Sequence, residues 1–383
     1  MTDTPASQLF TDDAKAPSRT GVLPFQAINN MVREQEVYAK TEITADQIQP
    51  ASLDLRLGPI AYRVRASFLP GPGHTVLDKV QQLDAYPIDI SDGAVLEKGC
   101  VYVVPLLESL HLKSGVTAFA NPKSSTGRLD VLTRLIADGC SSFDRLDKGY
   151  QGPLYVEIAP RTFSVVVREG TRLNQLRFRR GSPVIPSSEL QRLHDTGQLM
   201  LSSDTSEQNF ADRKMLRLSV DLHGEGMGGL IGYRAKKHTD RIDLEKIAHY
   251  DPMEFWEPIH YHRDPPLILD PNDFYILVTK EAVRIPPEFA AEMVAYDTSV
   301  GEFRVHYAGF FDPGFGWGDS VSKAVLEVRS HEVPFTLEDG QTVGWLQYER
   351  MAGKPDRLYG TNIKSNYQGQ SLALAKQFKG SRG

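Results

Sequence analysis

The sequence contains few cysteines and no long apolar run. Cys100 and Cys140 are the only two cysteines among 383 residues. Two are too few for a disulfide framework, which favours a reducing, cytoplasmic location. No run approaches the roughly 18 apolar residues of a membrane span, and residues 1–19 are polar without an apolar signal core. We therefore expect a cytoplasmic protein that has no membrane partner and begins with a flexible tail over residues 1–19.

Positive charge and metal-ligand patterns are also scarce. The net charge is −6 and the isoelectric point is near 6.0, whereas a duplex-binding surface needs a basic excess. We expect no nucleic-acid partner, although a free nucleotide would need only a few local cations. His249, His260 and His262 lie near carboxylates but have no cysteine partners nearby, so we interpret them as loop or packing residues rather than metal ligands.

An internal repeat organises the chain. Segments recur in the same order about 170 residues apart, which indicates two copies of one domain. The matched segments are 52–55 with 219–222, 124–128 with 298–302, 147–150 with 312–315, Glu157 with Glu327, and 170–176 with 340–346. We expect a first copy over residues 20–195, a linker over 196–213 and a second copy over 214–383.

Each copy has the pattern of a mainly β fold. Short runs rich in Val, Leu, Tyr and Phe alternate with turns of Gly, Pro and Asp, as in compact barrels or sandwiches. Helix is predicted only over residues 25–39, where apolar residues fall on one face, and over residues 189–196.

Two features of the first copy point to chemistry on a nucleotide. Residues 123–128 read Lys-Ser-Ser-Thr-Gly-Arg, and we call them the phosphate segment because hydroxyls, cations and a flexible glycine suit a polyphosphate. Such a sequence is also common in solvated polar turns. Glu157 lies inside an apolar run, where a buried carboxylate is costly unless it is hydrogen-bonded or has a raised pKa. A raised pKa suits a proton shuttle, but Glu157 could instead face solvent.

These segments resemble the deoxycytidine triphosphate deaminase branch of the dUTPase-like superfamily. Residues 48–58 resemble its opening strand motif, 123–128 its phosphate motif, 145–152 its sugar motif, 155–157 its catalytic strand and 367–370 its C-terminal tail. The resemblance covers residues 20–190 and, more weakly, 215–370. It implies two tandem dUTPase-like distorted β-barrels of the β-clip type with few helices. It also implies a homotrimer with active sites at subunit interfaces, Mg²⁺ bound through the triphosphate, and no zinc.

The implied reaction is hydrolytic deamination of dCTP to dUTP and ammonia, which supplies a precursor of dTMP. The resemblance gives Glu157 the role of general base and then acid. It implies that Ser124 places the attacking water and that Arg145 stabilises negative charge developing at C4. Arg145 could instead form a salt bridge to Asp144 or Asp147. The zinc-deaminase signature, His-x-Glu followed by Pro-Cys-x-x-Cys, is absent from the sequence.

The resemblance also implies a set of substrate contacts. Asp147 would accept the 3′-hydroxyl, and Tyr150 would stack under the sugar, although an aromatic residue there is equally a core residue. Gln175 would touch phosphates or serve only as a strand-edge amide. The remaining predicted contacts are Lys123, Ser125 and Arg128 for the triphosphate, Tyr155 and Val156 on the catalytic strand, and Tyr359, Asn366 and Gln370 in the tail.

The second copy has lost the charge of the phosphate segment. Asp297 and Glu302 stand where the first copy has Lys123 and Arg128, so a triphosphate would be repelled. We therefore expect the first copy to supply both the phosphate segment and the catalytic acid, and the second copy to supply a C-terminal lid, either within the same chain or from a neighbouring chain.

Two other functions compete with deamination. A dUTP pyrophosphatase, or an enzyme performing both steps, would also use an Asp-x-x-Tyr-x-Gly sugar motif, which residues 147–152 fit. Those enzymes usually have an apolar residue where Glu157 stands, which favours deamination. A non-catalytic nucleotide sensor is the third possibility, suggested by the degenerate second copy.

Overall fold

The computed structural model describes residues 20–201, 215–224, 226–263, 266–295, 303–306, 309–318, 322–330, 332–360 and 369–380. Strands dominate these residues and helices are few and short. The mainly β fold predicted from the alternating apolar runs is therefore confirmed.

The first copy contains four helices and fourteen strands when residues up to 201 are counted. The helices are α1 (Phe25–Arg33), α2 (Val76–Gln82), α3 (Ser124–Gly127) and α4 (Ser187–Asp195). The strands are β1 (Gly21–Val22), β2 (Val37–Ala39), β3 (Leu53–Arg56), β4 (Ile60–Val64), β5 (Tyr86–Asp89), β6 (Ala94–Leu96), β7 (Val101–His111), β8 (Val116–Pro122), β9 (Val131–Ala137), β10 (Arg145–Leu146), β11 (Gln151–Pro160), β12 (Val165–Val167), β13 (Arg172–Arg180) and β14 (Met200–Leu201).

The described part of the second copy contains one further helix, α5 (Pro252–Phe255). Its strands are β15 (Leu216–Ser219), β16 (Leu230–Ala235), β17 (Ile242–Asp243), β18 (Trp256–His260), β19 (Leu267–Leu269), β20 (Phe274–Val283), β21 (Phe289–Ala295), β22 (Phe303–His306), β23 (Phe310–Phe311), β24 (Ser322–Ser330), β25 (Phe335–Leu337) and β26 (Thr342–Arg350).

The sheets repeat the same strand order in both copies. The first copy has one sheet ordered β5-β4-β7-β11-β9 and another ordered β1-β13-β8-β10. The second copy has the corresponding sheets β18-β16-β20-β24-β22 and β15-β26-β21-β23. In the latter, β15 takes the place of β3, which also pairs with β13, and not that of β1. In both copies the strand that carries the repeated glutamate lies between two antiparallel neighbours. The internal repeat of the sequence therefore corresponds to a repeat of topology.

The two copies share buried surface. The largest apolar core contains first-copy residues such as Phe163 together with Trp256, Phe274 and Phe378 from the second copy. A second core contains Leu190 and Leu193 of α4 together with second-copy strands. The second core thus begins ahead of the boundary expected at residue 195, and β14, inside the expected linker, pairs with β20.

One predicted helix ends earlier than expected. The sequence pattern predicts helix over residues 25–39, but α1 ends at Arg33 and residues 37–39 form β2. Gln35 has a φ of 59°, a left-handed conformation that cannot continue an α-helix. The helix predicted over residues 189–196 is confirmed as α4, with bounds shifted by one or two residues. Among the described residues, no helix is long and apolar enough to cross a membrane.

Candidate functional site

The phosphate segment forms a short helical turn anchored on β13. Pro122 ends β8, and the extended backbone of Lys123 leads into α3. The amide of Lys123 donates to the carbonyl of Leu173 at 2.8 Å. The hydroxyl of Thr126 donates to the same carbonyl at 3.0 Å. This double attachment fixes the turn against the strand that also carries Gln175.

Arg128 is buried and contacts the C-terminal tail. Only 3% of this residue is exposed. Its Nη1 donates to the carbonyl of Ala373 at 3.0 Å and its Nη2 donates to Oε1 of Gln370 at 3.0 Å. These two acceptors are neutral oxygens, which bind a guanidinium less strongly than phosphate oxygens do.

Lys123, the other cation of the phosphate segment, forms a close ion pair with Asp54 of the opening strand motif. Arg172 lies 3.9 Å from the second oxygen of the same carboxylate. Asp54 is almost completely buried, which limits solvent screening of these charges. Asp54 therefore holds Lys123 in place while reducing the positive charge at this end of the segment.

An acid from the second copy, Glu327, faces the phosphate segment. Glu327 lies on β24, where it pairs in register with Ile276 and His306, and it is 6% exposed. Burial raises the pKa of Glu327 from 4.5 to about 8, although the nearby charge of Arg128 lowers it. A carboxylic acid with a pKa near neutrality can both accept and return a proton.

Asp312 is the second carboxylate on this side of the site. It follows β23 and is 9% exposed. Burial raises the pKa of Asp312, while the charge and hydrogen bond of Arg177 lower it. Phe310, Phe311 and Phe315 line the same cavity as Asp312.

These groups line one cavity between the two copies, with a volume of about 130 Å³. The first copy contributes Gln49, Lys123, Ser124, Ser125, Arg128 and Gln175, and the second copy contributes Met293, Gly309, Phe310, Phe311, Asp312, Phe315, Val325, Glu327, Tyr359 and Gln370. A larger cavity of about 700 Å³ shares Gln49, Lys123 and Ser125 with it. Lys376 lines the larger cavity, where burial lowers the pKa of its amine.

The structure brings together seven of the residues predicted from sequence. They are Lys123, Ser124, Ser125, Arg128, Gln175, Tyr359 and Gln370. Asn366 lies outside the described residues. The amide of Tyr359 donates to the carbonyl of Pro313 at 2.8 Å, and the Tyr359 ring lies 5.7 Å from that of Phe315. The tail thus reaches the site within the same chain.

Glu157, the acid chosen from sequence, is buried against an arginine and lies apart from this cavity. It is 1% exposed, but its Oε1 accepts hydrogen bonds from Arg134 Nε at 3.0 Å and Arg134 Nη2 at 2.5 Å. Arg134 in turn stacks over Phe143. Within the described part of the chain, Glu157 lines neither of the two cavities. Glu157 is buried, as predicted, and its carboxylate forms an ion pair with Arg134, away from the phosphate segment of its own chain.

The other predicted residues near Glu157 also lie away from the cavity. The side chains of Arg145 and Asp147 are 60% and 88% exposed and lie 3.6 Å apart, which matches the alternative of a surface salt bridge. The hydroxyl of Tyr150 donates to the carbonyl of Pro153 at 2.6 Å. Burial raises the pKa of Tyr155 to about 12, and Val156 is fully buried in the core.

The cavity also contains three residues that sequence reasoning did not select. Asp312, Phe315 and Glu327 are the repeat counterparts of Asp147, Tyr150 and Glu157. The repeat was therefore a sufficient signal for finding them. It could not show that the second copy's acid, and not the first copy's, lies opposite the phosphate segment.

Potential metal ligands are scattered over the part of the chain that the structure describes. Within the described residues, no group of three or more His, Cys, Asp or Glu side chains could hold a metal ion. The zinc independence and the magnesium requirement expected from the resemblance both stay predictions.

The fold and the site define a class of protein: a mainly β, nucleotide-binding enzyme with a cationic, hydroxyl-bearing turn opposite a buried acid. Comparison with known proteins agrees. The family described as 2′-deoxycytidine 5′-triphosphate deaminase (DCD) N-terminal domain matches residues 19–182. The corresponding C-terminal domain family matches residues 186–378. The chain belongs to the dCTP deaminase family.

Individual relatives support this membership. The crystal structure of 2′-deoxycytidine 5′-triphosphate deaminase from Agrobacterium tumefaciens is 54% identical, with a TM-score of 0.83, and the match covers 88% of this chain and 100% of that one. The dCTP deaminase, dUMP-forming, of Kocuria rhizophila is 27% identical over 179 residues, which are 45% of this chain and 91% of the relative. The dCTP deaminase of Natronomonas pharaonis is 30% identical over 133 residues, 34% of this chain and 65% of the relative.

Proposed function

We propose that this chain hydrolyses the amine at C4 of dCTP and releases dUTP and ammonia, a step that supplies precursors of dTMP. Family membership supports the substrate. The single observation that carries the proposal is the cavity in which Glu327, with a pKa of about 8, faces Arg128 and Ser124. This arrangement gives a proton shuttle and a phosphate-binding segment in one place.

Glu327 would act as the general base and then as the general acid, in the role that the resemblance implies for Glu157. It takes a proton from water as the oxygen bonds to C4 and gives that proton to ring atom N3. It then moves the proton of the new C4 hydroxyl to the amine as the C4–N bond breaks. The products are a C4 carbonyl and ammonia. Ser124 lines the same cavity, and its hydroxyl would orient the attacking water.

The triphosphate would bind the phosphate segment as its magnesium complex. Lys123, Ser125, Arg128 and Gln175 all line the cavity beside Glu327. A volume of about 130 Å³ is below the roughly 300 Å³ at which small-molecule sites usually begin. We propose that the phosphates extend across Lys123 and Ser125 into the neighbouring 700 Å³ cavity, and that phosphate oxygens replace the tail oxygens now bound to Arg128. Mg²⁺ would reach the site on the phosphate oxygens.

The sugar would lie between Asp312 and Phe315. Asp312 holds the repeat position of Asp147, to which the resemblance gives the 3′-hydroxyl, and Phe315 holds that of Tyr150. Both line the cavity that contains Glu327. The second copy would therefore provide the acid and the sugar contacts, while the first copy would provide the phosphate contacts.

The test is incubation of the protein with dCTP and Mg²⁺, followed by separation of dUTP and dUMP and an assay of ammonia. We expect dUTP and ammonia in equal amounts. Release of dUMP would indicate a further pyrophosphate cleavage, and binding of dCTP without release of ammonia would indicate a sensor. Either result would contradict the proposed reaction. Glu327→Gln should abolish ammonia release, whereas Glu157→Gln, properly folded, should retain it.

Assembly and location complete the proposal. We propose a cytoplasmic homotrimer, supported by the resemblance and by the scarcity of cysteine. In the cavity, the phosphate contacts, acid and tail come from a single chain. The site therefore does not need a neighbouring subunit for the residues named above.

A further inference from the structure

Arg177 is a fully buried charged residue that the proposed mechanism does not use. It lies on β13 of the first copy and is 0% exposed. Burying a guanidinium is costly unless it is paired and hydrogen-bonded. Its surroundings therefore need a specific account.

Three of the residues that Arg177 contacts are consecutive in the second copy. Its Nη2 donates to Oδ1 of Asp312 at 3.3 Å and to the carbonyl of Phe311 at 3.2 Å. Its guanidinium carbon lies 4.0 Å from the centre of the Phe310 ring. A further bond runs from Nη1 to the carbonyl of Ala291 at 3.0 Å. One planar group thus fixes the side chain, backbone and ring of the segment that forms one wall of the cavity.

The internal repeat offers a comparison. The second copy has Gln347 at the position that corresponds to Arg177. The first-copy counterpart of Asp312 is Asp147, whose side chain is 88% exposed and is approached at 3.6 Å by the exposed Arg145. Asp312, which is bonded to the buried Arg177, lines the cavity. Asp147, which is approached only by an exposed arginine, lies on the surface.

We propose that Arg177 is a positioning residue for sugar recognition, holding Asp312 where its carboxylate accepts the 3′-hydroxyl of the nucleotide. The inference rests on the proposed function, since it assumes that a deoxynucleotide occupies the cavity. Arg177 itself touches no substrate. It acts across the boundary between the copies, so that the first copy controls a contact made by the second.

A neighbouring arginine provides a matched control. Arg179 lies two residues along β13, is also buried, and pairs with Glu292 at 2.7 Å and Glu349 at 2.9 Å. Glu349 is shared, because Arg177 Nη1 lies 3.8 Å from it. Arg179→Gln should therefore disturb the same buried charges without removing the bond to Asp312.

The experiment compares binding of dCTP with binding of 2′,3′-dideoxy-CTP, which lacks the 3′-hydroxyl. Titration calorimetry in a Glu327→Gln background avoids consumption of dCTP. The parent should prefer dCTP by about tenfold or more, as a hydrogen bond to a charged acceptor predicts. Adding Arg177→Gln should reduce the preference to within about threefold. Adding Arg179→Gln should leave it unchanged.

Several results would overturn the inference. They are no preference for dCTP in the parent protein, an unchanged preference in Arg177→Gln, and an equal loss of preference in Arg179→Gln. If Arg177→Gln does not fold, Arg177→Lys keeps the charge but cannot make all the bonds of the fork, and its preference should be intermediate. Failure of the proposed reaction can be distinguished from failure of this inference. The binding preference can still be measured if the unmodified protein releases no ammonia.

Discussion

Replacing Glu327 with glutamine should stabilise the protein while removing its activity. Replacing a residue whose role is packing lowers the stability of the protein. Replacing a catalytic acid that is buried against its electrostatic preference should raise it. Glutamine has nearly the shape of the protonated acid and does not ionise. The substitution therefore isolates the cost of the charge.

The magnitude follows from the pKa. Burial raises the pKa of Glu327 from 4.5 to about 8. A change of one in the pKa corresponds to about 1.4 kcal/mol of free energy. The folded state binds the proton more tightly than the unfolded state, so stability falls as the pH rises from 4.5 to about 8 and then levels. Relative to the unmodified protein, Glu327→Gln should show no difference in free energy of unfolding near pH 4. It should gain about 5 kcal/mol near pH 9.

Glu157→Gln is the matched control, since both glutamates hold the same repeat position. The Glu157 carboxylate accepts two hydrogen bonds from Arg134. Loss of its charge should lower the free energy of unfolding by about 2 kcal/mol. The two substitutions should therefore change stability in opposite directions at pH 9.

Urea unfolding at pH 5, 7 and 9, followed by tryptophan fluorescence, measures both effects, and ammonia release measures activity. Glu327→Gln should lower kcat by at least about a hundredfold, the lower end for general acid–base catalysis. A loss of stability at pH 9 in Glu327→Gln would refute the electrostatic reasoning. Retained activity would refute the assignment of the base.

Four further predictions concern the same site and its supports. kcat/KM for dCTP should rise about tenfold between pH 6 and pH 7 and level above pH 8, because only ionised Glu327 accepts a proton; a flat profile would contradict this. Arg128→Ala should raise KM for dCTP at least tenfold, whereas Arg65→Ala, on an exposed arginine, should leave it unchanged. Phe378→Ala should lower the free energy of unfolding by about 3 kcal/mol or more, because the ring is fully buried against Phe255 and Trp256, and urea unfolding measures it. Light scattering should give the mass of three chains; any other mass would contradict the trimer.

The fold was largely predictable because its signals are local. Alternating apolar runs predict strands from their own residues, and the repeated segments predict two copies with matching topology. The prediction that the first helix extends to Ala39 was wrong for a local reason as well. Gln35 adopts a left-handed conformation that the pattern of apolar residues does not signal, and the chain after it turns into β2.

The site was only half predictable because it depends on how the copies face each other. The phosphate segment could be found from its own residue types, and the charge reversal at Asp297 and Glu302 identified which copy holds it. The choice between Glu157 and Glu327 could not be made in this way, since both lie in the same local pattern. It depends on tertiary placement, which puts Arg128 near Glu327 and Arg134 beside Glu157.

Arg177 was hidden for a related reason. It lies in the strand sequence Leu-Arg-Phe, where an arginine is normally expected to point to solvent. Its partners are more than 110 residues away along the chain. Only contact between the copies removes it from water, and no local pattern encodes that contact.

The copy-spanning cavity also sets the stoichiometry of the protein. Its lining includes the phosphate segment of the first copy and Glu327 of the second, whereas the second copy has the acids Asp297 and Glu302 at the sequence positions of Lys123 and Arg128. Each chain of 383 residues should therefore bind one nucleotide, not two. Duplication here gives no spare site, and a disabling change in either half of the chain leaves that chain without a working one.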